Sequence, residues 1–243
     1  MVDRALSSGS GVASLRPMQW AAPIFGILLF GAGESRATVA YDTTLTSPPG
    51  VFFGSGNVNS HWTVDNEANG IQLGLQGLER FIGPYTPDAN TSVYHAATGA
   101  TTVPGKTGSA WDVAFSVNTG NQLTLADVTT SWCLQDVGLG TNGCFDALLI
   151  PDNATSGGTV AQNAEALSFA SVAAAFNDSA YNLNANDTYI FTLTLYDADT
   201  AIASVSSTVQ VGDGAPVPEP ASLALFGMAL AGFGALRRRR RKA

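Results

Sequence analysis

The chain has 243 residues, of which 45% are hydrophobic and 12% charged, enough for one domain of ordinary size together with processing segments. Its net charge of −8 is unevenly distributed, because residues 38–216 carry only two basic side chains, Arg80 and Lys106, against 16 acidic ones. A region with a net charge of −14 repels phosphate backbones, so nucleic acid is excluded as a partner.

The first segment of the chain has the features of an export signal. An apolar run, Trp20–Gly33, follows two arginines and precedes the small residues Ser35 and Ala37. Signal peptidase requires small side chains at these two positions, so we predict a signal peptide at 1–37, cut between Ala37 and Thr38. A membrane anchor is the alternative, but about 14 apolar residues are too few to span a bilayer comfortably. Translation starts at the first or the second methionine, and both starts keep this cleavage site.

Strand patterns begin after this segment. The stretch "HWTVDNEANGIQLGLQGLERF" (61–81) consists of two extended runs around Asn69-Gly70, a strong turn signal. In "WDVAFSV" (111–117), large apolar residues alternate with Asp, Ala and Ser, the period of a strand that buries one face.

The second half of the body repeats these patterns. "VTTSWCLQ" (128–135), "TYIFTLTLYDAD" (188–199) and "AIASVSSTVQV" (201–211) alternate in the same way, and the last two are joined by a hairpin-sized connection. The alanine-rich stretch 161–177 instead predicts a short helix. Many strands separated by Gly, Pro and Asn turns predict an all-β fold at 38–215, an antiparallel β-sandwich that is jelly-roll-like or related.

Two cysteines, Cys133 and Cys144, flank a glycine-rich stretch that reverses the chain. In the oxidising compartment that an exported protein reaches, we predict that they form a structural disulfide. A metal pair and a reactive nucleophile are the alternatives. A metal site needs further Cys or His ligands, and the only histidines, His61 and His95, are distant in the sequence.

Motifs for catalysis or cofactor binding are absent from the sequence, so no catalytic residue, metal ligand set or cofactor is predicted. Two carboxylates are sufficient to hydrolyse a glycoside, and Glu67, Glu79 and Glu165 are available, but the sequence does not single out a pair. Asp197 and Asp199 suit a calcium site by residue type, although a solvated hairpin turn is the simpler interpretation.

The C-terminal segment, 216–243, has three parts in order: a Pro-Glu-Pro motif, 16 uncharged residues from Ala221 to Leu236, and a basic tail. The uncharged part would form about 24 Å of helix, short of a ~30 Å hydrocarbon core, which predicts a short transmembrane helix. Basic residues stay on the cytoplasmic side, so the acidic body would lie outside the cytoplasm. The motif and the tail consist of Pro218, Glu219 and Pro220, and of Arg237, Arg238, Arg239, Arg240, Arg241 and Lys242.

This tripartite segment resembles the PEP-CTERM sorting signal of exported bacterial proteins. The resemblance covers about 26 residues, and its three parts occur in the order of the family. It implies processing by an exosortase, a membrane enzyme related to cysteine transpeptidases, in a Gram-negative envelope. Proteins of this kind are associated with exopolysaccharide and the biofilm matrix. The stretches 56–77 and 111–120 also resemble the main domains of other such proteins. This second resemblance identifies no catalytic residues.

Two classes of function remain open from the sequence. The first is a non-enzymatic cell-surface or matrix protein with exopolysaccharide as a partner; the second is a secreted glycan-active hydrolase with a carboxylate pair. A binding module would expose aromatic residues, for which Trp62, Trp111 and Trp132 are candidates. For Trp111 and Trp132, packing in the core is the favoured alternative.

Overall fold

The protein's structure, a computed structural model, describes residues 38–46, 50–54 and 57–215. These residues form two packed β-sheets that share one hydrophobic core, which confirms the predicted all-β sandwich. The predicted signal peptide at 1–37 and the C-terminal segment 216–243 lie outside the described residues.

The described residues contain strands, a 3₁₀ turn (Ala147–Leu149) and one short helix, α1 (Ala170–Ala175). The strands are β1 (Thr38–Thr43), β2 (Trp62–Asn66), β3 (Gln72–Glu79), β4 (Gly83–Pro84), β5 (Val93–Ala96), β6 (Trp111–Asn118), β7 (Val128–Asp136), β8 (Thr141–Phe145), β9 (Ala154–Ser156), β10 (Val160–Glu165), β11 (Asp187–Asp197) and β12 (Thr200–Val211).

The strands are divided between two sheets. The first has the order β1-β2-β3-β6-β10-β9, with β4 also paired to β3, and all of these pairs are antiparallel. The second has the order β5-β12-β11-β7-β8, in which only β5 and β12 run parallel. The prediction of an antiparallel sandwich is therefore correct except for this one parallel pair.

The main core lies between the sheets and follows the predicted alternation. On β6, Trp111 and Phe115 face this core together with the valines between and after them. Trp132 of β7 lies opposite, with its ring centroid 4.9 Å from that of Phe115 and 5.1 Å from that of Phe176. Rings of 150–250 Å² packed at this spacing dominate the stability of such a core. Trp111 and Trp132 thus have the structural role that the sequence favoured.

A second, smaller core covers the outer face of the first sheet. Leu45 and Phe53, from the segment between β1 and β2, pack over Trp62, Val64 and Leu78. The rings of Phe53 and Trp62 meet edge to face at 6.3 Å. Trp62 is fully buried, so the idea that it forms part of an exposed binding surface is wrong. The covering segment hides a residue that would be exposed on a bare sheet.

The alanine-rich stretch 161–177 is helical only in part. Its first residues belong to β10, which pairs with β6 on one side and β9 on the other, and only Ala170–Ala175 is α-helical. The backbone hydrogen bonds of two neighbouring strands outweigh the modest helix propensity of alanine here.

The predicted disulfide between Cys133 and Cys144 is confirmed. The two residues face each other across the antiparallel pair of β7 and β8, with Cα atoms 4.0 Å apart. This distance is shorter than the 4.4–6.8 Å typical of disulfides.

Candidate functional site

A cleft that contains several carboxyl groups opens beside the end of β10. Glu165, the last residue of that strand, lines it together with Asp146 and Asp152 from the segment that leads into β9. The cavity measures about 630 Å³, a size that suits a small ligand or a few units of a polymer. We call it the carboxylate cleft. Its walls are mainly apolar and include Phe145, Leu149, Ile150, Pro151, Phe169 and Val172.

Asn163 holds two of these carboxyl groups close together. Its side-chain Nδ2 lies 3.2 Å from Asp152 Oδ1 and 3.2 Å from Glu165 Oε1, so the two oxygens are at most twice that distance apart. Asn163 and Glu165 are separated by two positions on β10 and therefore point to the same face of the sheet. The strand thus presents the bridging amide and the carboxyl group of Glu165 on one face of the first sheet, and Glu165 lines the carboxylate cleft.

Glu165 and Asp146 have different electrostatic roles. Burial raises the pKa of Glu165 to about 7, and repulsion from Asp152 and Asp112 adds to the effect, whereas Arg80 opposes it. Asp146 is engaged in local structure, since its Oδ1 accepts bonds from the backbone N–H and the hydroxyl of Thr130 and from the N–H of Leu148. Glu165 is therefore partly protonated near neutral pH, which lets it act as a proton donor.

A second cavity, of about 680 Å³, is lined by both basic side chains of residues 38–215. We call it the basic cleft; Asn163 also contributes to its lining. Lys106 Nζ lies 5.0 Å from the centroid of the Phe81 ring, and Phe81 and Ile82 are half or more exposed. An exposed aromatic ring beside an ammonium group and amides is suited to stacking and hydrogen bonding with a sugar.

Arg80, unlike Lys106, is occupied by intramolecular contacts. Its guanidinium carbon lies 4.8 Å from the ring centroid of Phe81 and 4.5 Å from that of Phe169. Its Nε is 3.4 Å from Asp112 Oδ1, and its Nη1 donates to Ser168 Oγ at 3.4 Å. Burial raises the pKa of Asp112 to about 6, although the Arg80 charge opposes this shift. Arg80 therefore joins β3, β6 and the segment before α1.

Only one of the three glutamates considered from the sequence, Glu165, belongs to the carboxylate cleft. Glu79 lines the basic cleft, whereas Glu67 follows β2 and lines neither. Asp197 ends β11 and Asp199 lies in the turn of the β11–β12 hairpin, and both residues are exposed. No local sequence pattern points to Asp152 or Asn163, because their contact with Glu165 depends on the folding of β9 against β10.

Other residues identified from the sequence lie apart from the cleft or outside the described residues. Thr38, the predicted mature N-terminus, is the first residue of β1. The Pro-Glu-Pro motif and the basic tail fall outside the described residues, as does the predicted transmembrane helix. Within 38–46, 50–54 and 57–215, no helix has the length and apolar character needed to cross a membrane.

Comparison with known proteins identifies the C-terminal segment. Residues 216–241 match the PEP-CTERM protein-sorting motif. No curated protein and no solved structure is significantly similar to the chain. The chain therefore carries a PEP-CTERM sorting motif, and this match supports an exported, membrane-anchored precursor that is sorted by an exosortase.

Proposed function

We propose that this protein is a non-enzymatic cell-surface or matrix protein, exported with a signal peptide at 1–37 and processed by an exosortase. The observation that carries the proposal is the PEP-CTERM motif at 216–241. Residues 38–215 would then be the part delivered to the cell exterior, and 216–243 the sorting signal. The acidity of residues 38–215 suits a soluble domain outside the cell.

The physical logic of the sorting signal is to hold one bond at a fixed depth in the membrane. Proline restricts its own backbone and that of the preceding residue, which keeps Pro218 and Pro220 out of a continuing helix. The carboxylate of Glu219 resists entry into hydrocarbon, so the motif stays at the outer interface. The basic residues 237–242 fix the opposite end on the cytoplasmic side.

Two changes to the signal test this function. Replacing Pro218, Glu219 and Pro220 by alanine is expected to leave uncleaved full-length protein in the membrane fraction. Deleting residues 237–242 is expected to let the tail slip through the membrane, so that unprocessed protein leaks out. An ordinary single-pass anchor would be unaffected by the alanine replacement, and processing that survives it would refute the proposal.

We further propose that the external domain associates with exopolysaccharide through the basic cleft. The exposed ring of Phe81 and the ammonium group of Lys106 support this assignment. In co-sedimentation with matrix polysaccharide from the producing strain, Phe81→Ala is expected to reduce binding several-fold. Tyr41→Ala, which removes an exposed ring on β1, is the matched control and is expected to bind normally. Equal loss in both variants would rule out the cleft.

A hydrolase is the second candidate, and the contact of Asn163 with both Glu165 and Asp152 favours it. In this mechanism, protonated Glu165 donates its proton to the glycosidic oxygen while Asp152 attacks the anomeric carbon, and water then hydrolyses the glycosyl–enzyme bond. The closeness of the two carboxyl groups fits the ~5–5.5 Å of retaining enzymes better than the wider spacing of inverting ones.

Turnover assays distinguish the two functions. We expect no release of reducing ends when the purified protein is incubated with matrix polysaccharide. Release that disappears in both Glu165→Gln and Asp152→Asn, but persists in the control Glu67→Gln, would establish the hydrolase and overturn the non-enzymatic proposal.

A further inference from the structure

The last described residues of the chain are fixed to one end of the sandwich. Val211, the last residue of β12, pairs with the first residue of β11 and with the last residue of β5, Ala96. The N–H of Gly212 donates to the carbonyl of Ala96 at 2.9 Å. The N–H of Ala215 donates to the hydroxyl of Thr188 at 3.0 Å. The chain therefore leaves the domain at a defined place.

Strands of both sheets end on this side of the molecule. Tyr189, near the start of β11, pairs with the last residue of β7, and its ring centroid lies 5.2 Å from that of Trp111, the first residue of β6. Trp111 in turn pairs with Glu79, the last residue of β3. Two positions further along β6, Val113 pairs with the last residue of β10. We call this end of the sandwich, at which β3, β5, β7, β10 and β12 finish, the exit face.

Exposed apolar side chains are concentrated in the connections at the exit face. Of the nine large apolar side chains that are exposed among the described residues, five lie there, with relative exposures of 42–60%: Phe81, Ile82, Val137, Leu139 and Phe169. The connections at the opposite end are residues 67–71, 119–127, 157–159 and 198–199, and they contain none of the nine. Exposed apolar patches usually mark an interaction surface, so this asymmetry indicates that the exit face meets a partner.

Both basic side chains of residues 38–215 are also at the exit face. Arg80 directly follows β3, and its guanidinium group lies between the rings of Phe81 and Phe169. Lys106 belongs to the connection between β5 and β6, and its Nζ forms no ion pair among the described residues. Long basic side chains beside exposed apolar ones are typical of surfaces that meet the interfacial region of a lipid bilayer.

Only a few residues separate the exit face from the segment that is predicted to enter the membrane. The described domain ends at Ala215, and the uncharged stretch begins at Ala221. A fully extended chain spans at most about 3.6 Å per residue, so this tether keeps the end of the domain within roughly 22 Å of the bilayer. A short tether gives the attached surface an effective concentration in the millimolar range, which makes even a weak contact significant.

We propose that the exit face rests on the outer surface of the lipid bilayer in the membrane-anchored precursor, with Phe81, Ile82 and Leu139 in the interfacial region. The strongly acidic domain has little attraction to a membrane as a free molecule, so the contact depends on the tether. Phe81 and Lys106 also line the basic cleft, so the bilayer would cover this cleft until the domain is released. This last consequence rests on the proposed function.

Quenching by labelled lipids tests the contact. The precursor, purified from membranes of cells that lack an exosortase, is placed in phosphatidylcholine vesicles with a nitroxide near the top of the acyl chains. A fluorophore is attached to one added cysteine, either Ile82→Cys or Leu139→Cys. The nitroxide is expected to quench both labels several-fold. The matched control Thr200→Cys is exposed and lies roughly 36 Å from Val211 along β12, so its label should not be quenched.

A second variant shows whether the apolar side chains make the contact. Phe81→Ser is expected to reduce quenching of the Leu139→Cys label, since these residues lie in different connections and share only the exit face. Tyr41→Ser, which removes an exposed ring on β1, is the control and should leave the quenching unchanged.

The outcomes separate this inference from the proposed function. A precursor that floats with the vesicles, but whose exit-face labels behave like the Thr200→Cys label, would overturn the inference and leave the sorting function intact. Equal quenching at all three positions would also overturn it, because the domain would then have no preferred orientation. A precursor that does not float with the vesicles would contradict the proposed anchoring and the inference together.

Covering of the basic cleft has its own measurement. The vesicle-anchored precursor is expected to bind matrix polysaccharide several-fold less than the protein released by an exosortase. Equal binding by both forms would refute the covering. Absence of binding by the released protein would refute the polysaccharide function of the cleft, whereas the quenching results would still decide the lipid contact.

Discussion

Removing the disulfide between Cys133 and Cys144 is expected to destabilise the protein by about 3 kcal/mol. The cross-link joins residues 11 positions apart, and closing a loop of this length lowers the entropy of the unfolded chain by that amount. Cys133 is half-buried and Cys144 is exposed, so replacing both by alanine leaves no large cavity. The decrease in the free energy of unfolding should therefore come mainly from loss of the cross-link.

Because of its position, the disulfide should stabilise β8 in particular as well as the whole domain. β8 is an edge strand of the second sheet and pairs only with β7 in that sheet. Without the cross-link, β8 is held by its backbone hydrogen bonds and by a few contacts with the segment around α1. Amide protons of β8 are expected to exchange faster in the double variant than those of β11, which lies inside the sheet.

Thermal and urea denaturation measure the effect. For a domain of this size, about 3 kcal/mol corresponds to a decrease in Tm of roughly 6–12 °C. The parent protein under reducing conditions is the control, and it should match the Cys133→Ala/Cys144→Ala variant. A variant within about 1 kcal/mol of the oxidised parent would refute the loop-entropy argument for this bond.

Three further predictions follow from the structure and the sequence. In the folded protein the pKa values of Glu165 (about 7) and Asp112 (about 6) lie above those of ordinary carboxyl groups, so protonation of these groups favours the folded state. The free energy of unfolding should therefore increase as the pH falls from 8 to 5. In urea titrations, Glu165→Gln should reduce this increase. Gly143→Ala should destabilise the protein by about 1–3 kcal/mol, since a Cβ atom there would overlap the backbone carbonyl of Phe176; normal stability in thermal denaturation would contradict this. N-terminal sequencing of exported protein should begin at Thr38, and a chain that keeps its first methionine would disprove the proposed cleavage.

The strands could be predicted from local sequence because their pattern is local. The alternation on β6 and on the β11–β12 hairpin marks the face that packs in the main core. Asn69-Gly70 correctly marks the β2–β3 hairpin, where Gly70 adopts a positive φ of 86°. Each of these signals lies within at most 12 consecutive residues, so a single sequence contains it.

Features that depend on distant segments could not be predicted in this way. Trp62 is buried because the segment that contains Leu45 and Phe53 folds over the outer face of the sheet. Residues 160–165 form a strand because β6 and β9 provide hydrogen bonds, although their alanines suggested a helix.

The candidate site could not be predicted from local sequence for the same reason. Asp152 meets Glu165 only through Asn163 and the pairing of β9 with β10. The sorting motif differs, because its residues are consecutive and can be recognised without a fold.

The intact mass of the protein in cells with and without an exosortase tests the central claim most directly. With the enzyme, we expect a species that begins at Thr38 and ends near the Pro218–Pro220 motif, recovered from the cell surface or the medium. Without it, the species should keep its C-terminus through Ala243 and remain in the membrane fraction. The same C-terminally complete, membrane-bound species in both strains would show that the motif does not direct exosortase processing of this protein.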